Sequence, residues 1–187
     1  MNRDMLVTLL ARRSVRRGHF VLASGRASSY YVDARLTTMS PEGLATIGPL
    51  ALEAIRTLGW RADAVGGLTL GADPVAYAIA VASFERPPLV RAFTVRKEAK
   101  QHGTGRLIEG PMNEGDHVVV IEDVITTGGS AQRAAEAIAR AGGHVSGILA
   151  LVDREEGGRD LLERAGHAVH SLTSISELLA AESAPAS

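Results

Sequence analysis

The sequence predicts an α/β fold with a central, mostly parallel β-sheet and helices on both faces. Strand-length apolar runs, such as 88–95, 117–121 and 145–152, alternate with segments of helical periodicity. Strands that are apolar throughout are typical of parallel sheets covered on both faces, and an intervening helix supplies each crossover. No repeat, linker or low-complexity block divides the 187 residues, so the chain, 1–187, is expected to form one domain.

Residues from 1 to about 40 predict N-terminal elements that precede the sheet. A helix is expected over 4–17, with arginines in its last turn and Gly18 as its stop. Two extended segments, 19–22 and 29–33, are then expected to flank a Ser-Gly-Arg turn.

The rest of the chain predicts alternating strands and helices. Ser40 is placed to cap a helix that has Pro41 at its first position, and Asp73 and Pro74 repeat this pattern. A flexible tail is expected over about 181–187. The expected helices are 40–59, 73–83, 128–141, 159–165 and one from Ile175, and the expected strands are 62–66, 88–95, 117–121, 145–152 and 168–172.

Composition excludes several classes of protein. A formal net charge of −1 gives no general attraction to nucleic acid or to acidic membranes, so neither is expected as a partner. The lack of cysteine excludes disulfides and thiolate metal sites, and no apolar run approaches the roughly 18 residues of a membrane span. The N-terminal apolar stretch is too short for a signal peptide, so we expect a cytoplasmic protein. The basic residues over 12–17 are interpreted as a solvated helix end, with a nucleic-acid contact as the alternative.

The segment Val-Val-Val-Ile-Glu-Asp-Val-Ile-Thr-Thr-Gly-Gly-Ser, residues 118–130, carries the chemistry. Its final Thr-Thr-Gly-Gly-Ser turn leads into a helix, and its backbone N–H groups and hydroxyls suit an anion such as phosphate. No lysine follows the glycines, which excludes the P-loop of nucleoside triphosphatases. Glu122 and Asp123, expected at the end of the strand, would cost free energy when buried without partners. A vicinal diol donates hydrogen bonds to such acids, so the pattern predicts a ribose 5-phosphate ligand.

This segment resembles the phosphoribosyl pyrophosphate (PRPP) signature of the type I phosphoribosyltransferases. The resemblance implies the fold of that family, with a small N-terminal hood and a mobile catalytic loop. It also implies a catalytic role for Asp123. The residues that it assigns to PRPP binding are Glu122, Asp123, Val124, Ile125, Thr126, Thr127, Gly128, Gly129 and Ser130.

A second segment, Arg-Lys-Glu-Ala-Lys-Gln-His-Gly-Thr-Gly-Arg at 96–106, is by composition alone a solvated charged loop. The order of its residues, Arg-Lys-x-x-Lys-x-His-Gly, is similar to that of the catalytic loop of the orotate phosphoribosyltransferases. That resemblance implies PRPP binding by Arg96, Lys97, Lys100 and His102, with Lys100 as the main catalytic side chain. It also implies a homodimer in which loop 96–106 completes the site of the neighbouring subunit.

Further segments are similar to the same family. Residues 22–26 and 30–33 resemble its N-terminal segment beside the orotate pocket, and 152–155 resembles the segment with its orotate-binding arginine. The resemblance therefore implies that Arg154 binds the orotate carboxylate and that Thr126 contacts the ring. It implies Mg²⁺ as cofactor, carried by PRPP without direct protein ligands and close to Asp123. The implied reaction joins orotate to PRPP, giving orotidine 5′-monophosphate and pyrophosphate in pyrimidine biosynthesis.

The sequence departs from the family at two places. Many members have a lysine where Ala23 stands and Tyr-Lys where Leu70-Gly71 stands. Arg96, Lys97 and Lys100 are therefore expected to carry more of the pyrophosphate charge, helped by backbone N–H groups of glycines at 66, 67 and 71. Two alternatives remain: a purine phosphoribosyltransferase, and a PRPP-sensing regulator without catalytic activity.

Overall fold

The computed structural model describes residues 3–21, 27–98 and 107–183. Within them the chain alternates between helices and strands as the sequence predicts. The strands are β1 Val15–Val21, β2 Ala27–Val32, β3 Ala64–Leu68, β4 Arg91–Val95, β5 Ile108–Glu109, β6 His117–Ile125, β7 His144–Asp153 and β8 Val169–Ser174. The helices are α1 Arg3–Ser14, α2 Arg35–Thr38, α3 Pro41–Thr57, α4 Ala72–Glu85, α5 Gly129–Arg140, α6 Gly158–Arg164 and α7 Ile175–Glu182.

Six strands form the central sheet in the order β5-β4-β3-β6-β7-β8. All neighbouring strands in this sheet are parallel except the short edge strand β5, which is antiparallel to β4. Strands β1 and β2 form a separate antiparallel pair. The structure therefore confirms the mostly parallel α/β fold and its small N-terminal hood, formed by α1, β1, β2 and α2.

Alternating residues of β6 divide the core between the two faces of the sheet. Val119 and Ile121 pack into a cluster with apolar residues of α1, α3, α4 and α7. Val118 and Val120 pack on the opposite face, with apolar residues of α5 and α6. Because side chains alternate along a strand, one continuous apolar run can fill both cores.

The first helix ends earlier than the sequence predicts. It stops at Ser14, and Val15 already pairs with Val32 in the hood. Gly18 lies within β1 and does not end the helix, so that expectation was wrong. The β-branched Val15 and its pairing with β2 outweigh the helical propensity of the arginines that follow.

The caps of the next two long helices differ from each other. Ser40 caps α3 as predicted, because its hydroxyl accepts a hydrogen bond from Gly43 N at 3.1 Å. Asp73 does not cap α4 and lies inside the helix. Its carboxylate instead accepts hydrogen bonds from the hydroxyls of Thr69 and Thr94, at 2.7 Å and 2.9 Å. Asp73 therefore links the start of α4 to strand β4.

The sequence predicts Glu122 and Asp123 at the end of a strand. Strand β6 instead extends to Ile125, so both acids lie within the strand. Pairing with β7 continues as far as Ile125 and Asp153, so both acids lie in the paired part of β6. Helix α2 and strand β5 were not predicted, because four and two residues are too short for a periodic signal. The predicted tail lies partly outside the described residues. Among the residues that are described, no helix has the length and hydropathy needed to cross a membrane.

Candidate functional site

A cavity of about 330 Å³ opens beyond the carboxyl ends of the parallel strands, between the sheet and the hood. Ligands of open α/β sheets bind at this edge. The hood contributes residues 31–35, and the loop after β3 contributes 69–71. The remaining lining residues are Leu68, Lys97, Glu122, Asp123, Val124, Thr126, Ser130, Arg133 and Arg154.

Two adjacent acids lie at the centre of this cavity. Glu122 is only 8% exposed, and its Oε2 atom has no hydrogen-bond partner among the described residues. Burial, and next the charge of Asp123, raises the pKa of Glu122 well above its usual range. Burial also raises the pKa of Asp123, although its Oδ1 accepts a hydrogen bond from Val124 N at 2.9 Å. Such a pair is stabilised by a ligand that donates hydroxyl hydrogen bonds without adding negative charge.

The Thr-Thr-Gly-Gly-Ser turn, residues 126–130, lies directly beside the acids. It lines a second depression of about 60 Å³ together with Glu122, Val124 and Ile125. Gly128 has a left-handed backbone with φ of +80°, and α5 begins at the next residue. The N–H groups of the turn and the positive end of the helix dipole therefore meet at one small pocket, which suits a phosphate group.

Helix α6 fixes the conformation of this glycine turn from behind. A Cβ atom at Gly158, the first residue of α6, would lie 2.5 Å from Thr126 O and 2.7 Å from Gly128 N. A Cβ atom at Gly128 would in turn lie 2.8 Å from Gly158 O. The turn and the helix therefore approach each other at backbone distance, which only glycine at both positions permits.

Arg154 lies at the end of β7 and reaches the same cavity. It is 7% exposed, and its Nη2 atom lies 2.8 Å from Glu156 Oε1. Its guanidinium carbon lies 5.2 Å from the ring centroid of Tyr30, within the range of a cation–π contact. Its buried Nε atom has no hydrogen-bond partner within the described part of the chain. Arg154 is thus held in place and still has a donor for an anionic ligand.

The predicted basic loop is only partly described. Lys97 lines the cavity, whereas Arg96 does not. Arg96 lies beside β5, with its Nη1 atom 3.7 Å from Glu109 Oε1 and its backbone N–H bonded to Leu107 O. Lys100 and His102 lie outside the described residues, as do residues 22–26 of the hood.

The glycines at 66, 67 and 71 differ from one another in position and role. Gly66 and Gly67 lie inside β3, where a Cβ atom would overlap Phe93 O and Ile121 O respectively, so both serve the packing of the sheet. Gly71 lines the cavity, and a Cβ atom there would overlap the carboxylate of Asp123. The expectation of backbone donors at 66 and 67 was therefore wrong, because these residues are in the middle of a paired strand.

Sequence reasoning missed two cations of the cavity. Arg35, at the start of α2, and Arg133, one turn into α5, both line it. Arg133 follows Ser130 at a spacing of three residues, so its position on the ligand side of α5 was open to prediction. Arg35 stands two residues after Asp33, and the two side chains are joined by hydrogen bonds of 2.8 Å and 2.9 Å. This pairing depends on the short helix α2 after the hairpin, which is too short to give a periodic signal in the sequence.

The comparisons with known proteins agree with this geometry. The model of the phosphoribosyl transferase domain family matches residues 38–167. An orotate phosphoribosyltransferase of Aquifex aeolicus is 46% identical over 182 residues, covering 96% of this chain and 98% of the relative. A crystal structure of Mycobacterium tuberculosis orotate phosphoribosyltransferase in complex with Fe(III) dicitrate has a TM-score of 0.83 and 44% identity, covering 94% of this chain and 98% of that chain. A structure of the same enzyme in complex with PRPP has a TM-score of 0.78 and 40% identity, with the same coverage of both chains.

Proposed function

The chain belongs to the phosphoribosyltransferase family, and from this premise we propose that it is an orotate phosphoribosyltransferase. It transfers the ribose 5-phosphate group of PRPP to orotate and releases pyrophosphate, giving orotidine 5′-monophosphate. The observation that carries this function is one cavity that joins the acid pair Glu122 and Asp123 to the glycine turn and to Arg154. These three features match the diol, the 5′-phosphate and the carboxylate of the two substrates.

The geometry supports a division of the cavity between the parts of PRPP. The 5′-phosphate binds the N–H groups of the glycine turn, residues 126–130, at the start of α5. The ribose 2- and 3-hydroxyls donate to Glu122 and Asp123, which supplies Glu122 Oε2 with the partner that it lacks. The diphosphate then extends towards Gly71 and Lys97, on the β3 and β4 side of the cavity.

Orotate occupies the opposite side in this proposal. Its carboxylate accepts hydrogen bonds from Arg154, and its ring contacts Thr126. A buried arginine is better matched to a carboxylate than to a purine, which has none, and this favours orotate over the purine alternative. A regulator without catalytic activity would need no such base site.

The reaction follows from these positions. The bond between C1 and the diphosphate oxygen breaks with its electron pair on pyrophosphate. The ring nitrogen of orotate forms the new bond to C1, and its proton passes to an oxygen of the departing pyrophosphate. The charge that develops on pyrophosphate is stabilised by cations, for which we propose Arg96, Lys97, Lys100 and His102, with Lys100 as the main catalytic side chain. Closure of loop 96–106 would also keep water away from the electron-deficient ribose carbon.

Mg²⁺ is part of this proposal, carried by the oxygens of PRPP. Asp123 provides a hard oxygen acceptor in the cavity, which fits the hydration shell of this ion. The described residues contain no cluster of three or more His, Asp or Glu side chains that could hold a metal ion by themselves. The ion would neutralise diphosphate charge, and Asp123 is the side chain that we place closest to it.

A homodimer is also part of the proposal. Helix α4 exposes an apolar face with Tyr77, Val81 and Phe84, of which Phe84 is 79% exposed. A groove of about 570 Å³ beside it is lined by Leu44 and Pro49 of α3. A patch of this kind is typical of a subunit interface, and we propose that a second copy packs there and that its basic loop completes the neighbouring cavity. We also propose a cytoplasmic location, as the sequence predicts.

An assay with five candidate bases tests the function. The protein is incubated with PRPP, Mg²⁺ and in turn orotate, uracil, adenine, hypoxanthine or xanthine, and the loss of each base is followed. We expect only orotate to be consumed, with loss of activity in Asp123→Asn and retention in the control Glu53→Gln on the exposed face of α3. Consumption of a purine would support the purine alternative, and PRPP binding without turnover of any base would support the regulator.

A further inference from the structure

Among the described residues, the loop after β3, residues 69–71, supplies no cation to the cavity. Related sequences often carry lysines where this chain has Ala23 and Gly71, yet neither residue here has a charge. The structure gives a reason for Gly71. A Cβ atom at this position would overlap the carboxylate of Asp123, so a lysine would require Asp123 or the loop after β3 to move. The loop after β3 therefore offers the diphosphate of PRPP no charged side chain.

Arg35 lies close enough to Asp123 for the charge of that carboxylate to act on it. It lines the cavity together with Gly71 and Asp123. Asp33 holds it in a fork, accepting hydrogen bonds from Arg35 Nε at 2.8 Å and from Nη2 at 2.9 Å. The backbone N–H of Arg35 also donates to Asp33 Oδ1 at 3.1 Å. A guanidinium held in this way loses little further side-chain freedom when it binds a ligand.

The remaining donors of Arg35 are available to a ligand. The fork uses Nε and Nη2, and Nη1 makes no hydrogen bond with any other described residue. The side chain is 46% exposed, so a ligand in the cavity can reach it. Hydrogen bonding to Asp33 raises the pKa of Arg35, and the charge of Asp123 adds to this in the same direction. Arg35 is therefore a permanent cation that faces the acid pair.

Of the other described cations of the cavity, Lys97 is already proposed for the diphosphate, and two arginines are placed for other groups. Arg154 is paired with Glu156 at the β7 side, beside Tyr30. Arg133 lies on α5, close enough to Glu122 for its charge to act on that carboxyl group. Arg35 differs from both because Asp33 holds it and because it lies near Asp123, whose carboxylate faces Gly71.

We propose that Arg35, held by Asp33, binds the diphosphate group of PRPP and the pyrophosphate product, and so replaces the cations absent at 23 and 71. This inference rests on the proposed function, since it assigns a further binding residue to the same site. It assigns Arg35 to the diphosphate and leaves the 5′-phosphate to the glycine turn and the orotate carboxylate to Arg154.

Two substitutions of Arg35 test the assignment, with a matched control at the other edge of the sheet. Arg35→Gln removes the charge, and Arg35→Lys keeps it while losing the fork. The control is Arg61→Gln, which also removes an exposed arginine paired with an aspartate two residues away, since Arg61 Nη2 lies 3.2 Å from Asp63 Oδ2. Because Arg35 and Arg61 are both exposed, we expect all three variants to unfold at nearly the wild-type temperature.

The measurements are the calorimetric affinities for Mg²⁺-PRPP, Mg²⁺-pyrophosphate, ribose 5-phosphate and orotidine 5′-monophosphate. Loss of one charge-assisted contact predicts that Arg35→Gln weakens PRPP and pyrophosphate binding by roughly 10- to 100-fold. Arg35→Lys should lie between this variant and the wild type, and Arg61→Gln should match the wild type. Affinities for ribose 5-phosphate and orotidine 5′-monophosphate, which lack a diphosphate, should change less than about threefold.

Each outcome bears on the inference. Unchanged pyrophosphate and PRPP affinities in Arg35→Gln would overturn it, and so would a loss confined to orotidine 5′-monophosphate, which would place Arg35 on the base side. Failure of the wild-type protein to transfer ribose to orotate would refute the proposed function alone, because the diphosphate affinities are measured without turnover. A wild-type protein that binds neither PRPP nor pyrophosphate would overturn both.

Discussion

The left-handed backbone of Gly128 sets the shape of the glycine turn, and Gly128→Ala tests how much depends on it. With φ at +80°, an alanine would cost roughly 1–2 kcal/mol in backbone strain. Its Cβ would also lie 2.8 Å from Gly158 O and 3.0 Å from Leu162 Cγ. The backbone and side-chain shifts that accommodate such overpacking cost about 1–3 kcal/mol. We therefore expect a total loss of about 2–5 kcal/mol in the free energy of unfolding.

Two neighbouring glycines separate the parts of this cost. Gly157 has a similar φ of +86° but nothing within 4 Å of its Cβ position, so Gly157→Ala should lose only the roughly 1–2 kcal/mol of backbone strain. Gly129 is the first residue of α5, and the nearest atom to its Cβ position is Thr127 Oγ1 at 3.8 Å. Gly129→Ala should leave stability unchanged or raise it by about 0.5–1 kcal/mol.

Thermal unfolding and phosphate binding together give the assay. For a chain of this size 1 kcal/mol shifts the melting temperature by about 2–4 °C, so Gly128→Ala should melt about 4–20 °C below the wild type. Its affinity for inorganic phosphate should fall as well, because the N–H groups of the turn can no longer converge. Gly157→Ala should keep that affinity. The reasoning would be refuted if Gly128→Ala had the same melting temperature as Gly157→Ala and the same phosphate affinity as the wild type.

Three further predictions concern the acids, the base site and the dimer. Burial raises the pKa of Glu122, so the stability conferred by its protonated form is present below its ordinary pKa of 4.5 and lost as the pH rises through the raised value. Glu122→Gln should therefore melt higher than the wild type at about pH 8, by roughly 1–3 kcal/mol in unfolding free energy, and the gain should vanish near pH 4; a lower melting temperature at pH 8 would contradict this. Arg154→Gln is made together with Glu156→Gln, so that no buried charge is left without its partner. This double variant should raise the KM for orotate roughly 10- to 100-fold and change the KM for PRPP little. An orotate KM that stays at the wild-type value would remove Arg154 from the base site. Lys100→Ala and Asp123→Asn should each be nearly inactive, yet mixed and reassociated subunits should recover about a quarter of wild-type turnover, because half the dimers then contain one intact site. No recovery from a confirmed heterodimer would mean that the loop acts within its own subunit.

Much of the fold could be predicted from the sequence because it depends on local patterns. The apolar run of β6 and the helix after it follow from alternation and periodicity within one segment. The cap at Ser40 follows from a hydroxyl beside Pro41. Predictions were wrong where a distant partner decides the conformation. Val15 joins a strand because Val32 pairs with it, and the carboxylate of Asp73 accepts a hydrogen bond from Thr94 on strand β4.

The candidate site divides in the same way. The sequence by itself determined the family, the glycine turn and the acid pair, because all the residues of that motif are consecutive and one strand-turn-helix places them. Only the tertiary structure decided that Arg35 enters the cavity, that Gly71 has no room beside Asp123, and that Gly158 packs on the turn. These contacts join elements far apart in the chain. Their distances depend on how the hood and α6 pack against the sheet, which no local pattern specifies.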